Sequence, residues 1–300
     1  MRAVAGPGRW VWVLSGLVTA AVLVLPGARL ITLHYGPVNA SAEPQAVTIR
    51  AAIVPQPVTS LTVQSDGGQV QVTAGQVSRV QLTETIMSDH QGDAPPAVAE
   101  SVSGGRLSLP DPCANANCSV NFSLTVPFGV TVNVATQGGP AAVSGVAGAN
   151  MDTGGGPAQA SLIGGPLTVS TEGGPLVLRG VTGPLRADTG GGQLIAQDIA
   201  SATATVTTDG GDARIAFAKT ADTVTVSTGG GAAAIAFAEA PDTVLVSTDG
   251  GSAVLTVPGG PYAVTADSGG GPQWVGIATN PAARSSITVT SGGAPLRIQP

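Results

Sequence analysis

Residues 205–211 read Thr-Val-Thr-Thr-Asp-Gly-Gly, and the phrase returns at 225–231 as Thr-Val-Ser-Thr-Gly-Gly-Gly and at 245–251 as Leu-Val-Ser-Thr-Asp-Gly-Gly. Both steps are 20 residues. After each glycine run an apolar alternation follows: Ala213/Ile215/Phe217, Ala233/Ile235/Phe237, Ala253/Leu255/Val257. A fixed period of this length is the signature of a stacked-repeat architecture.

Anchoring on the Ser or Thr before the glycines extends the repeat. Nine anchors run from Thr136 to Ser291, with spacings of 17, 18, 18, 19, 20, 20, 20 and 23. The residues two and four before each anchor are apolar in every unit. The residue three before is polar in all but one, the exception being Leu245. Period-two alternation rich in Val and Thr predicts half-buried strands. Gly tolerates positive φ, so paired glycines predict a sharp turn between two strands. The turn glycines read from the sequence are Gly67, Gly138, Gly155, Gly173, Gly191, Gly210, Gly230, Gly250, Gly270 and Gly292.

One strand–turn–strand unit cannot bury its apolar side alone, and stacking makes a continuous core. An antiparallel sandwich with glycine hairpins is one solution. The near-constant period favours the other, a right-handed parallel β-solenoid of roughly 18–20-residue coils. Small inward residues and only four Phe fit a narrow interior. The fold class expected is therefore all-β, with solenoid repeats over 132–300 and a broader β cap over 58–131. Leu61–Val72 is a further copy of the unit, anchored on Ser65. The cap is expected to carry alternating strands at 80–86 and 120–126, and a strand pair around Ser103-Gly104-Gly105.

Residues 1–34 differ from the rest. A short basic start (1–9, with Arg2 and Arg9) precedes an apolar run from Trp10 to Leu25. Continued through Arg29 to Leu33, the run is long enough to span a bilayer with Arg29 snorkelling. The expectation is a short cytoplasmic N-terminus, a transmembrane signal-anchor at 10–33, a linker over 34–57 that reads as a semi-extended stalk or first edge strand, and an extracytoplasmic remainder. The competing reading is a signal peptide cleaved after Ala40-Ser41-Ala42, giving a secreted protein. Beyond the anchor the chain holds 9 basic and 18 acidic residues. That acidic balance argues against nucleic acid and against a polybasic lipid-binding face.

Chemistry is sparse. Cys113 and Cys118, the only cysteines, lie in one loop of a chain read as exported, which predicts a local disulfide. Metal binding by them would need further Cys or His nearby, and redox catalysis a C-x-x-C motif. The two His are His34 and His90. Asp66, Asp152, Asp188, Asp209, Asp249 and Asp267 all lie beside glycine turns, where Asp is favoured for local hydrogen bonding. Stacked in rows they are a weak Ca²⁺ alternative, but the nonapeptide Ca²⁺ repeat is missing. No catalytic residue, metal site or cofactor is expected.

The strand with Ser-Asp-Gly-Gly at 65–68, the stretch Cys118-Ser-Val-Asn-Phe-Ser-Leu-Thr-Val-Pro-Phe-Gly-Val at 118–130, and the serial Thr-x-Gly-Gly units carry a resemblance. Over about 45–300 the chain resembles the bacterial "putative adhesin" family of cell-envelope proteins, a domain of unknown function. The resemblance implies a solenoid-like β fold, a surface location and no established catalytic residues. The function expected is a membrane-anchored extracytoplasmic solenoid that meets surface glycans or envelope proteins. The alternative is a β-helix carbohydrate-active enzyme, which would need clustered carboxylates.

Overall fold

A computed structural model describes residues 46–88, 100–113 and 117–300. Among these, 25 strands form two sheets, one of 13 and one of 12, with no helix. The strand before each glycine turn lies in the twelve-stranded sheet and the strand after it in the thirteen-stranded sheet. Pairing between coils is parallel and follows the sequence repeat. Thr203–Thr208 matches Thr223–Thr228 residue for residue, and that strand matches Thr243–Thr248. On the other sheet Ala213–Phe217 matches Ala233–Phe237 in the same way. The all-β expectation with stacked parallel strands is met, and the antiparallel hairpin alternative is not.

Parallel stacking sets equivalent side chains of successive coils side by side, so each inward position becomes a column. Val206, Val226 and Val246 are buried in one, and Ile215, Ile235 and Leu255 in another. Phe217 and Phe237 stack with ring centroids 4.8 Å apart and planes 8° from parallel. Such offset pairs add about 0.5–1.5 kcal/mol beyond the area they bury.

Chain order and spatial order agree from residue 131 to residue 256 and part company at both ends. At the C-terminal end the coil of Ser286–Ser291 and Leu296–Gln299 lies between the coil ending at Thr256 and that of Ala263–Asp267 and Gln273–Val275. The order of inward residues explains this. The inserted coil offers Ile287, Val289, Leu296 and Ile298, all buried. The terminal coil offers Val264, Ala266 and Val275, only partly buried. The more apolar coil takes the two-sided position and the weaker one serves as the end.

At the N-terminal end Ser60–Gln64 and Val70–Gly75 form a complete coil, stacked on the coil of Thr131–Ala135 and Ala141–Ser144. Outside it sits another coil, Arg106–Leu109 and Cys118–Pro127, also parallel. The boundary expected at residue 131 is therefore corrected: the solenoid begins within 58–131. The cap proper consists of antiparallel strands added to the outer edges. Ser101–Ser103 pairs with Arg106–Leu109 around Gly104 and Gly105, both at positive φ. Gln81–Ser88 pairs with Cys118–Pro127, and Ala46–Ile53 with Gln81–Ser88. Within the segment expected over 34–57 as a linker or first edge strand, Ala46–Ile53 is an edge strand. Antiparallel edges and a short hairpin end the parallel stack. The expected cytoplasmic segment 1–9, the anchor 10–33, the cleavage site near Ala42, His34 and His90 lie outside the described residues. Among the described residues no helix is long and apolar enough to cross a membrane.

Candidate functional site

The corner between the two sheets is built from the anchors. They stand two positions beyond the inward apolar pair, so strand alternation turns them inward too, and the nine from Thr136 to Ser291 are buried. Each hydroxyl donates to the carbonyl three residues on: Thr208 to Gly211, Thr228 to Gly231, Thr248 to Gly251, and so on along the column, at 2.5–2.8 Å. A buried hydroxyl must be satisfied, and this bond closes the turn while satisfying it.

The glycines divide by position. Of the ten expected turn glycines, Gly67, Gly138 and Gly270 have positive φ and the other seven do not. At Gly155, Gly173, Gly191, Gly210, Gly230 and Gly250 an added Cβ would meet open space. The residue that must be glycine is the next one. A Cβ on Gly231 would fall 2.1 Å from the Gly211 carbonyl oxygen, and one on Gly251 1.9 Å from that of Gly231. The requirement is close approach between neighbouring coils, and none of these six glycines is itself at positive φ. Gly292 is corrected too: it lies one place early, over the Asp249 carbonyl, and Gly293 (φ 97°) holds the open position.

Cys113 and Cys118 are disulfide-bonded as expected. The two cysteines lie where the outermost parallel coil passes from Arg106–Leu109 to Cys118–Pro127, the place of the glycine corner in the other coils. Ser65 there donates to the Val120 carbonyl (2.8 Å), and that same oxygen is what a Cβ on Gly68 would strike. The Asp111 carboxylate ties the loop down, accepting from the Cys113 and Asp66 amides.

The outward faces of the two sheets differ. On strands Thr203–Thr208, Thr223–Thr228, Thr243–Thr248 and Ser286–Ser291 the three outward positions are all Thr or Ser, except Leu245. These four strands are adjacent and in unshifted register. They make a neutral hydroxyl wall. Thr290 donates from it to the Val246 carbonyl at 3.4 Å; no other outward hydroxyl of the four strands has a partner among the described residues. Nearer the N-terminus the same sheet shows Asp152, Arg186 and Asp188. The opposite sheet is mixed, with Arg179, Arg214 and Arg297 among small apolar residues. Arg297 lies 4.5 Å from the ring centroid of Trp274, which is half exposed.

Asp152 and Asp267 accept from the amides two residues on (3.2 and 2.9 Å), the local turn bond expected of them. Among the described residues no three His, Cys, Asp or Glu side chains come together as a metal site. A groove of about 470 Å³ at the C-terminal end is lined by Val264, Ala266, Gln273, Val275 and their neighbours, none of them titratable. Among the described residues one acid is buried: Glu84, in the cap, whose Oε1 has no hydrogen-bond partner there. Burial, reinforced by the Glu100 charge and opposed by Arg50, raises its pKa to about 7. The sequence carried that signal, since Glu84 lies in phase with inward Leu82 and Ile86.

No family model matches the chain, and no curated protein does. Several solved structures show a likeness. A "putative lipid binding protein" from Parabacteroides distasonis is 12% identical, with 83% of this chain and 96% of that one covered and a TM-score of 0.43. A "putative adhesin" from Bacteroides fragilis is 12% identical, covering 85% and 97%, with a TM-score of 0.42. A "putative cell adhesion protein" from Clostridium sporogenes is 10% identical, covering 84% and 99%, with a TM-score of 0.24. The name printed for the Bacteroides fragilis protein is that of the family that the sequence resembles.

Proposed function

We propose that this chain is an extracytoplasmic adhesion protein, held to the membrane through residues 10–33, whose hydroxyl wall is laid against surface glycans or envelope proteins. The observation that carries the reading is the wall itself. Eleven of its twelve outward positions are Thr or Ser, and they lie on four neighbouring strands in register. Each contact on such a wall is weak, but the contacts are identical and repeated, and repetition is how weak contacts add up to adhesion. No nucleic acid is proposed as a partner, because the exported part is acidic.

The test is a binding screen of the full chain against glycans and isolated envelope components, repeated with Thr225→Lys. Retention that Thr225→Lys abolishes supports the reading. Retention that the variant leaves unchanged places the binding surface elsewhere, and turnover of a glycan would favour the enzyme alternative. Membrane fractionation tests the anchor: a mature N-terminus at Glu43 in the medium would replace it with secretion.

A further inference from the structure

The wall has the geometry of a two-dimensional array, and that narrows what can sit on it. Across strands its rows repeat at about 4.8 Å, and along a strand at about 6.6 Å. The register from Thr203–Thr208 to Ser286–Ser291 does not shift, so the rows stay aligned. None of the twelve positions carries a charge, so the face is matched to a neutral partner. Thr is β-branched and stiff at χ1, and its hydroxyl both donates and accepts. The wall thus holds hydroxyls and methyls at fixed, regular positions.

Two features set this face apart from a site for single sugar rings. Sites for single small ligands are concave, and this one is an open sheet face. Sugar rings also present apolar faces that aromatic side chains cover, and the four strands offer no outward aromatic. A face without pocket or aromatic cover matches an extended partner made only of neutral donors and acceptors in a regular repeat. Frozen water fits that description.

We infer that the hydroxyl wall of residues 203–290 binds the surface of ice. The inference rests on the reading of the wall as the binding surface and names what it binds. Thr205 and Thr225 lie in one row at the centre of the array, and Leu245 interrupts that row. Arg186 stands in the same row two strands from Thr225, so a long cationic side chain is accommodated there.

The experiment is partition of the purified full chain, in detergent micelles, into slowly growing ice, against an inert protein in the same micelles. Several-fold enrichment of the wild type in the ice fraction is expected. Thr225→Lys and Thr205→Lys should fall to the level of the inert protein while keeping the wild-type melting temperature. Leu245→Thr, which completes the row, should raise the enrichment. Exclusion of the wild type from ice overturns the inference, and so does enrichment that neither Lys variant reduces. Microcrystalline cellulose and chitin are the parallel arm. Binding there that Thr225→Lys abolishes, with exclusion from ice, would keep the adhesive wall and overturn ice as its partner. No binding in either arm, together with a negative glycan and envelope screen, would overturn both.

Discussion

Coils between residues 131 and 199 and coils between 203 and 256 share one corner and differ at the other. At the shared corner both sets use a buried Thr, its bond to the carbonyl three residues on, and a glycine pressed against the coil before. At the other corner the earlier coils, 17–19 residues long, place one residue in the left-handed region. Gly145, Leu162, Gly180 and Asp198 take that place in successive coils. The 20-residue coils have no such residue and return through a longer connection, where Lys219 meets Glu239 at 3.2 Å. The ladder shifts register where the two sets meet, between Ala196 and Ile199. The lesson is that the tight corner fixes the stack, while coil length and surface chemistry vary at the loose one.

The largest effect should come from breaking the shared corner. Gly231→Ala forces a Cβ into the Gly211 carbonyl and should cost about 3–4 kcal/mol, and Gly174→Ala, against Gly156, should cost the same in the earlier set. Gly230→Ala, one residue away and facing open space, should change stability by no more than about 1 kcal/mol. Denaturant melts of the three would check this. Equal costs at 230 and 231 would refute the close-approach argument.

The cap sharpens the comparison, because it replaces the glycine corner with a disulfide and buries a carboxyl. With Glu84 raised to about 7 in the fold and near 4.5 when unfolded, the fold binds the extra proton. Its contribution is therefore fully present below pH 4.5 and is lost as pH rises towards 7, by about 2 kcal/mol once solvent screening is allowed for. The wild type minus Glu84→Gln difference, measured across that window, should show the fall. Removing the disulfide as Cys113→Ala/Cys118→Ala should cost about 2 kcal/mol, as expected for so short a loop.

Within the shared corner, Thr228→Val keeps the shape and removes the hydroxyl that bonds the Gly231 carbonyl. A loss of about 1–2 kcal/mol is expected in the same melts. The smallest effect belongs to the loose corner. Leu162, at φ 54° and exposed, is relieved by Leu162→Gly, against the greater chain entropy of Gly. The net gain should be about 0.5 kcal/mol, and a loss above 1 kcal/mol would mean that the side chain packs more than its exposure suggests.

The repeat was fully written in the sequence, because strand alternation and glycine spacing are local. From them came the parallel stack, the inward columns at Val206, Val226 and Val246, the outward Thr rows and the hairpin at Gly104-Gly105, while the disulfide came from the cysteine pair in one loop of a chain read as exported. Three things needed the tertiary structure. Which glycine matters was decided by the neighbouring coil: Gly230 and Gly231 look alike in sequence, and only the Gly211 carbonyl tells them apart. The order of the end coils was decided by competition for burial, in which Ile287, Val289, Leu296 and Ile298 outweigh Val264, Ala266 and Val275. And the Thr rows became a wall only when parallel stacking at one register set four strands, one of them 43 residues further along the chain, edge to edge.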